Sequence, residues 1–136
     1  MTKSIFPETM LNKTSSDMTL EGIAGKLLWF EIQLHMIHWQ TMGYSEHMAT
    51  NLYDTIHEFT DCYMEKLMGY SGRKIKDLKI PPILPNANSL IIIREIVNYS
   101  EELCKFAKEN GYSDLDNMSQ ELSGNAAKTL FLLTLS

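Results

Sequence analysis

The sequence predicts an all-α protein in which four long helices form a bundle, with a long crossover between the second and third helices. Two observations support this fold class. Apolar residues recur three and four positions apart through four segments, as on one face of a helix. Gly, Pro, Asn and Ser mark the breaks between these segments. With 136 residues, 44% of them hydrophobic, the chain has the length and composition of one domain with a buried core.

The breaks define the predicted ends of the helices. The predicted N-caps are residues whose side chains accept from helix amides, namely Ser16 or Asp17, Ser45, and Ser113 or Asp114. Gly111 is placed to end the third helix, and Gly124 weakens helix propensity within the fourth. The predicted helices span about residues 17–42, 45–69, 88–110 and 113–135 of a single domain over residues 1–136.

Prolines define the crossover between the second and third helices. Pro81, Pro82 and Pro85 each remove an amide donor and fix φ, so this stretch contains at most a short helical turn. Its lysines, in the sequence RKIKDLK, are those of a solvated loop. Two short connections flank the long one, and this up-down-down-up order is typical of a ferritin-like four-helix bundle.

Charge and composition limit the classes of partner. A net charge of −5 would repel a nucleic-acid backbone, so a DNA-compacting function is disfavoured. The first ten residues lack the apolar run of a signal peptide, and no segment reaches the roughly 20 apolar residues that span a bilayer. Cys62 and Cys104 form no CxxC pair and suit a reducing compartment. We expect a cytoplasmic protein.

The first predicted helix has two apolar sides. Its core stripe consists of Leu20, Ile23, Leu27, Phe30, Leu34 and Ile37. A second apolar strip consists of Leu28, Trp29, Ile32, Met36 and Trp39. A helix that is apolar on two sides is usually covered on both. We therefore expect a homo-oligomer, with a dimer as the smallest unit.

Between these two apolar sides lies a polar flank made of Glu31, His35 and His38, at positions i, i+4 and i+7. Three of the four histidines fall in the stretch HMIHWQTMGYSEH, which ends at His47. Two interpretations stay open for these residues. They are either hydrogen-bonded histidines at a subunit interface without a metal, or ligands of a metal ion.

The second predicted helix carries an acidic row opposite its core stripe. The core stripe consists of Leu52, Ile56, Phe59, Tyr63 and Leu67. The opposite face carries His47, Asp54, Glu58, Asp61 and Glu65. Such a row is either a solvated surface or a place where a cation relieves repulsion between the carboxylates. Imidazole with carboxylate is a ligand set for iron, manganese or zinc. The Glu-x-x-His pair of many di-iron bundles does not occur in this region.

The motif order in this region resembles that of the Dps mini-ferritins. It comprises His38-Trp39, a turn containing Gly43, His47, and then Asp61-x-x-x-Glu65 followed by a lysine. The resemblance is centred on residues 27–72 and extends more weakly to the Leu-rich last helix. The whole string looks more similar still to small uncharacterised Dps-like proteins of bacteriophages, and this resemblance implies a location in a bacterial or phage-infected cell.

The resemblance implies a ferritin-like bundle that binds iron between two subunits. His38 and His47 would come from one subunit, and Asp61 and Glu65 from its partner. His38, Asp61 and Glu65 would then carry a ferroxidase reaction. Auxiliary ligands or entry-path charges would come from Glu31, His35, Asp54 and Glu58. The metal would be iron, with manganese or zinc as alternatives. The competing hypothesis is a non-catalytic oligomeric or partner-binding bundle, such as a phage accessory protein, that has lost this chemistry.

Overall fold

The computed structural model describes residues 17–135, and this part of the chain consists of helices and loops without a strand. Its helices are α1 (Leu20–Gln40), α2 (Tyr44–Ala49), α3 (Leu52–Ser71), α4 (Ser89–Asn110) and α5 (Ser113–Leu132). The predicted all-α class is confirmed. None of the helices in the described range is long and apolar enough to cross a membrane.

Helix α1 begins one turn later than predicted because Thr19, rather than Asp17, caps it. The Thr19 hydroxyl oxygen accepts from the Gly22 amide at 3.0 Å, and the same hydroxyl donates to the Asp17 carboxylate at 2.8 Å. Asp17 therefore orients the cap without serving as one. The alternative cap, Ser16, lies outside the described residues.

The second predicted helix is interrupted, so the prediction of one continuous helix from residue 45 is wrong. Helix α2 ends at Ala49, and α3 begins at Leu52. The Thr50 hydroxyl donates to the His47 carbonyl at 2.9 Å, which competes with continued main-chain bonding. The predicted cap Ser45 lies inside α2, whose N-cap is Gly43. At the other end, α3 continues past Gly69 to Gly72, whose φ of +74° ends it.

The last two helices end close to where the sequence predicts. Asn88 caps α4, its side-chain oxygen accepting from the Leu90 amide at 2.8 Å, and Gly111 ends it with a φ of +71°. Helix α5 begins at Ser113 without a side-chain cap, so neither predicted cap acts there. Gly124 does not interrupt α5.

The four long helices surround one core. Helix α1 packs against α3 and α4, and α5 packs against the same two helices. Every residue of the two predicted core stripes is buried. Ile92, Ile93, Ile96, Leu103, Leu115 and Leu122 complete the core from α4 and α5. The hairpin of α1 and α3 is therefore fixed on one side by the core, and its other side carries the polar flank of α1 and the acidic row of α3.

The crossover between α3 and α4 runs along the outer side of α1, from its first turn to its last. We call residues 73–85 the crossover strap. At one end Arg73 donates two hydrogen bonds to Glu21, at 2.7 and 2.9 Å, and these lower the pKa of Glu21 to about 2. At the other end Gln40 donates to the Pro85 carbonyl at 3.3 Å.

The middle of the crossover strap is held through its main chain. Trp29 donates its indole N–H to the Pro82 carbonyl at 2.9 Å. The Gln33 side chain donates to the Leu84 carbonyl at 2.8 Å and accepts from the Leu84 amide at 2.9 Å. Because Trp29 is only 5% exposed, the expectation that a second subunit must cover it is wrong. The strap covers it instead.

The rest of the second apolar strip is less completely covered. Ile32 is 41% exposed and Trp39 is 73% exposed, whereas Leu28 and Met36 are half-buried. By helical geometry these residues lie between the crossover strap and α3. The apolar surface left for a partner is therefore narrower than the sequence suggested, and it borders the polar flank of α1.

Candidate metal centre

The turn after α1 brings the side chains of His38 and His47 together. His38 lies in the last turn of α1 and His47 in the short helix α2. Their imidazole rings are stacked, with centroids 3.8 Å apart and planes inclined by 26°. Residues that are nine positions apart in sequence thus form one pair of imidazoles at the end of the hairpin.

Two threonines fix the orientation of these rings. His38 Nδ1 lies 3.0 Å from the Thr50 hydroxyl and 3.1 Å from the His47 carbonyl oxygen. His47 Nδ1 lies 3.0 Å from the Thr41 hydroxyl. In each ring Nδ1 is therefore engaged within the protein, and Nε2 is the nitrogen left to bind another group.

The hydrogen-bond network also assigns the tautomer of His38. Its Nδ1 lies 3.1 Å from the His47 carbonyl oxygen, which can only accept. The His38 ring therefore carries hydrogen on Nδ1, and in the neutral form its lone pair is on Nε2, as a metal ligand requires. At His47 both tautomers fit the geometry, because the Thr41 hydroxyl can donate its single hydrogen either to the His38 carbonyl or to His47 Nδ1, each at 3.0 Å.

His35 has a different environment from the other two histidines of the stretch. Its ring stacks on Tyr53, with centroids 4.1 Å apart and planes within 12° of parallel. Trp39 contacts it at a centroid distance of 4.5 Å. Tyr53 in turn meets the His38 ring edge-on at 5.1 Å. The structure therefore places His35 in an aromatic stack beside the imidazole pair.

The acidic row of α3 is solvent-exposed along its length. It consists of Asp54, Glu58, Asp61 and Glu65. Within residues 17–135 none of these four carboxylates forms an ion pair within 4 Å. Asp54 and Asp61 act on His57 only at longer range. Lys66, the nearest cation in sequence, pairs with Asp114 of α5 instead. Lys66 therefore does not relieve the repulsion within the row.

His57 is the site residue that the sequence analysis missed. It lies on α3, and its Nδ1 is 2.8 Å from Glu31 Oε2 of α1. This hydrogen bond, helped by the charges of Glu31, Asp61 and Asp54, raises the pKa of His57 above its ordinary value. Spacing could have revealed it, because His57 follows Asp54 by three residues and precedes Asp61 by four, and so shares their face.

Glu31→Gln is expected to lower the pKa of His57 toward the ordinary histidine value, because an amide does not attract the charged imidazolium. Because the pKa of His57 is raised in the folded state, its contact with Glu31 contributes fully to stability below the pKa of the unfolded chain. This contribution is lost as the pH rises through the pKa of the folded state. NMR titration of the His57 ring measures this change. Glu101→Gln, at an exposed position of α4, is the control. Identical titration curves for Glu31→Gln and the wild type would contradict the assignment.

The predicted ligands do not converge within one chain. In the part of the chain from residue 17 to residue 135, no group of three or more His, Cys, Asp and Glu side chains is arranged to hold a metal ion. The imidazole pair and the acidic row are two separate sets of candidate ligands on the same hairpin.

Comparison with protein families gives one match. The model of a family of unknown function, DUF5856, matches residues 38–133, which is more than half of the chain. The chain belongs to DUF5856. No curated protein and no solved structure matches it.

The DUF5856 match begins at His38 and includes His47, the acidic row, the crossover strap and the last two helices. Glu31 and His35 lie before the matched range. Membership in DUF5856, a family of unknown function, assigns no activity to the hairpin.

Proposed function

We propose that this DUF5856 protein is a ferritin-like, metal-binding protein that takes up Fe(II) at sites between two subunits and oxidises it there. His38 and His47 of one subunit would bind the metal together with Asp61 and Glu65 of its partner, as the resemblance to Dps mini-ferritins implies. Iron is the substrate of this reaction, and manganese or zinc would occupy the same ligands.

The order of neighbouring helices supports a ferritin-like architecture. Helix α1 lies beside α3 and α4, and α5 lies beside the same two helices. The long crossover joins α3 to α4. Ferritin-like bundles have one long crossover of this kind. In contrast to di-iron bundles with ligands in the core, the proposed ligands here lie on the outer side of a hairpin.

The paired imidazoles of His38 and His47 carry this proposal. Both Nδ1 atoms are engaged by threonines, so the rings are fixed before a metal arrives and Nε2 is the nitrogen left to bind it. Fixing a ring through its second nitrogen is a usual feature of metal-binding histidines. Imidazole ligands favour iron, manganese or zinc over calcium and magnesium, which prefer oxygen ligands alone.

Asp61 and Glu65 are suited to complete the site from a second subunit. They lie one turn apart on the exposed face of α3. Their two negative charges balance one divalent cation. If they face the imidazoles of the partner subunit, the acidic rows of the two subunits do not face each other and do not repel. Exposed Ile32 and Trp39 of α1 would supply apolar contact area beside the site.

Within such a site the protein groups have separate roles. The carboxylates would stabilise the charge that rises as Fe(II) loses an electron to peroxide or oxygen. The imidazoles would set the geometry and redox preference of the bound ion. Cover by the partner subunit would limit access of water to the reacting ions.

The proposal is tested by anaerobic titration with Fe(II). The wild type is expected to saturate at a fixed stoichiometry of Fe(II) per dimer. The double variant His38→Ala, Asp61→Ala is expected to lose this binding, because each site loses one ligand from each of its two subunits. Circular dichroism checks the fold of each variant, and Glu101→Gln serves as a charge-matched control outside the hairpin. Unchanged saturation in the double variant would rule out the proposed ligands.

A second candidate function is a partner-binding bundle without metal chemistry. The exposed apolar side chains around α2 favour it: Trp39, Met42, Tyr44 and Met48. Trp, Tyr and Met are enriched where proteins bind one another. This alternative expects the melting temperature of the protein to be the same with Fe(II), Mn(II), Zn(II) or no metal, since only a ligand of the native state stabilises it. The metal site expects an increase.

A further inference from the structure

His57 has an unusual combination of exposure and restraint. Its side chain is 67% exposed on the outer face of α3. Its Nδ1 nevertheless forms a 2.8 Å contact with Glu31 of the neighbouring helix, whose side chain is only 21% exposed. A largely covered carboxylate of α1 is thus committed to holding an exposed imidazole of α3.

This contact determines which nitrogen of His57 is available. An ionised carboxylate can only accept, so the hydrogen lies on Nδ1 and the lone pair of the neutral ring lies on Nε2. Among residues 17–135, no hydrogen-bond partner contacts Nε2. A carboxylate that accepts from the second nitrogen of a histidine is the common support of metal-binding imidazoles, because it fixes the ring and raises its basicity.

The same arrangement occurs in the imidazole pair. In His38 and His47, too, Nδ1 is engaged within the protein and Nε2 is left for another group. Three of the four histidines on this hairpin are therefore held through Nδ1. The exception, His35, is the ring that stacks on Tyr53 and lies tilted against Trp39.

The position of His57 on α3 connects it to the acidic row. Asp54 lies three residues before it and Asp61 four residues after it, so all three side chains leave the helix on one face. Both aspartates act on the His57 charge through space. Any ion held by Asp61 would therefore lie within one helical turn of the His57 ring.

We propose that His57 is a third imidazole ligand of the intersubunit site, contributed together with Asp61 and Glu65, and that Glu31 is its positioning residue. This inference rests on the proposed function and extends its ligand set. The site then takes a divalent transition-metal ion that accepts several nitrogen ligands, such as Fe(II), Zn(II) or Co(II), and discriminates against magnesium and calcium.

Zn(II) and Co(II) are the probes for this test, because their binding is measurable without any catalytic turnover. Calorimetry gives the Zn(II) affinity, the visible spectrum of Co(II) reports the ligands, and 15N NMR follows His57 Nε2. His57→Gln removes a ligand, so it is expected to weaken Zn(II) binding by at least the roughly tenfold to hundredfold that loss of a ligand's supporting partner costs, and to change the Co(II) spectrum. Glu101→Gln is the control and is expected to leave both unchanged.

Variants of Glu31 separate positioning from general stability. Glu31→Gln retains an oxygen that accepts from His57 Nδ1, whereas Glu31→Leu does not. We therefore expect Glu31→Gln to retain more Zn(II) affinity than Glu31→Leu, although both remain folded by circular dichroism. Equal losses in the two variants would overturn the positioning role.

The outcomes distinguish this inference from the function on which it rests. If His38→Ala abolishes Zn(II) binding, His57→Gln leaves the affinity and the Co(II) spectrum unchanged, and Zn(II) does not shift the His57 Nε2 signal of the wild type, His57 is not a ligand and the intersubunit site stands. If the wild type binds neither Zn(II) nor Co(II), both the site and the His57 ligand are overturned.

Discussion

Mixing two inactive variants is expected to restore metal binding to about a quarter of the wild-type capacity if each site is shared between subunits. One variant lacks the imidazoles, through His38→Ala and His47→Ala. The other lacks the carboxylates, through Asp61→Ala and Glu65→Ala. Each variant alone has no complete site. After co-refolding at equal amounts, a random pairing places intact imidazoles opposite intact carboxylates at one site in four.

This fraction does not depend on the number of subunits, because every site needs only two neighbours. Anaerobic Fe(II) titration before and after co-refolding measures the recovery. The control is a chain that carries all four substitutions, which should restore nothing when co-refolded with either partner variant. Absence of recovery in the original mixture, with correctly assembled protein, would contradict a shared site.

Gly25→Ala is expected to lower the free energy of unfolding by at least about 1 kcal/mol, although alanine is the better helix former. A Cβ at Gly25 would overlap the Lys79 carbonyl oxygen of the crossover strap. The strap is fixed on either side of Lys79 by the Glu21–Arg73 and Trp29–Pro82 contacts, so this main-chain atom cannot easily move away. Urea denaturation monitored by circular dichroism measures the change.

Gly124→Ala is the matched control, since Gly124 also lies within a helix but a Cβ there would meet open space. This substitution is expected to raise the free energy of unfolding by about 0.5–1 kcal/mol. The two changes are chemically the same, so their opposite signs would isolate the contact between α1 and the strap. Stabilisation by both would show that the strap does not lie against Gly25.

The core of this fold could be predicted because it depends on a regular pattern. Side chains that recur at helical spacing share a face only if the segment is a helix. The apolar face is the one that becomes buried, so the pattern predicts which residues form the core. Leu27 and Phe30 of α1, and Ile56 and Tyr63 of α3, are accordingly all fully buried. The end of α4 at Gly111 could also be predicted from local chemistry, since the φ of +71° at this position suits glycine.

The features that periodicity missed depend on contacts between residues far apart in sequence. The break before α3 depends on the hydroxyl of Thr50, which is also the partner of His38. The burial of Trp29 depends on the course of a loop more than fifty residues later. Helical patterns describe one segment at a time, and so they give no information on either contact.

In the candidate site, too, helical spacing predicted which face a residue lies on but not its contacts with residues of other elements. Helical spacing placed His38 on the polar flank of α1 and Asp61 on an outward face of α3. It could not show that His47 would stack on His38, because this depends on the geometry of the turn and of α2. Helical spacing also places His57 on the face of Asp54 and Asp61, but it could not show the contact of His57 with Glu31, a partner on another helix.

Beyond Arg73 the crossover strap is held mainly through its main chain, since α1 contacts the carbonyls of Pro82, Leu84 and Pro85 and the amide of Leu84. Most of its own side chains are exposed. A segment held in this way can change its exposed side chains without changing its course, so substitutions of these side chains are expected to cost little folding free energy. The same property makes the strap a natural place to graft a short foreign epitope, displayed in an extended conformation on a rigid helical support.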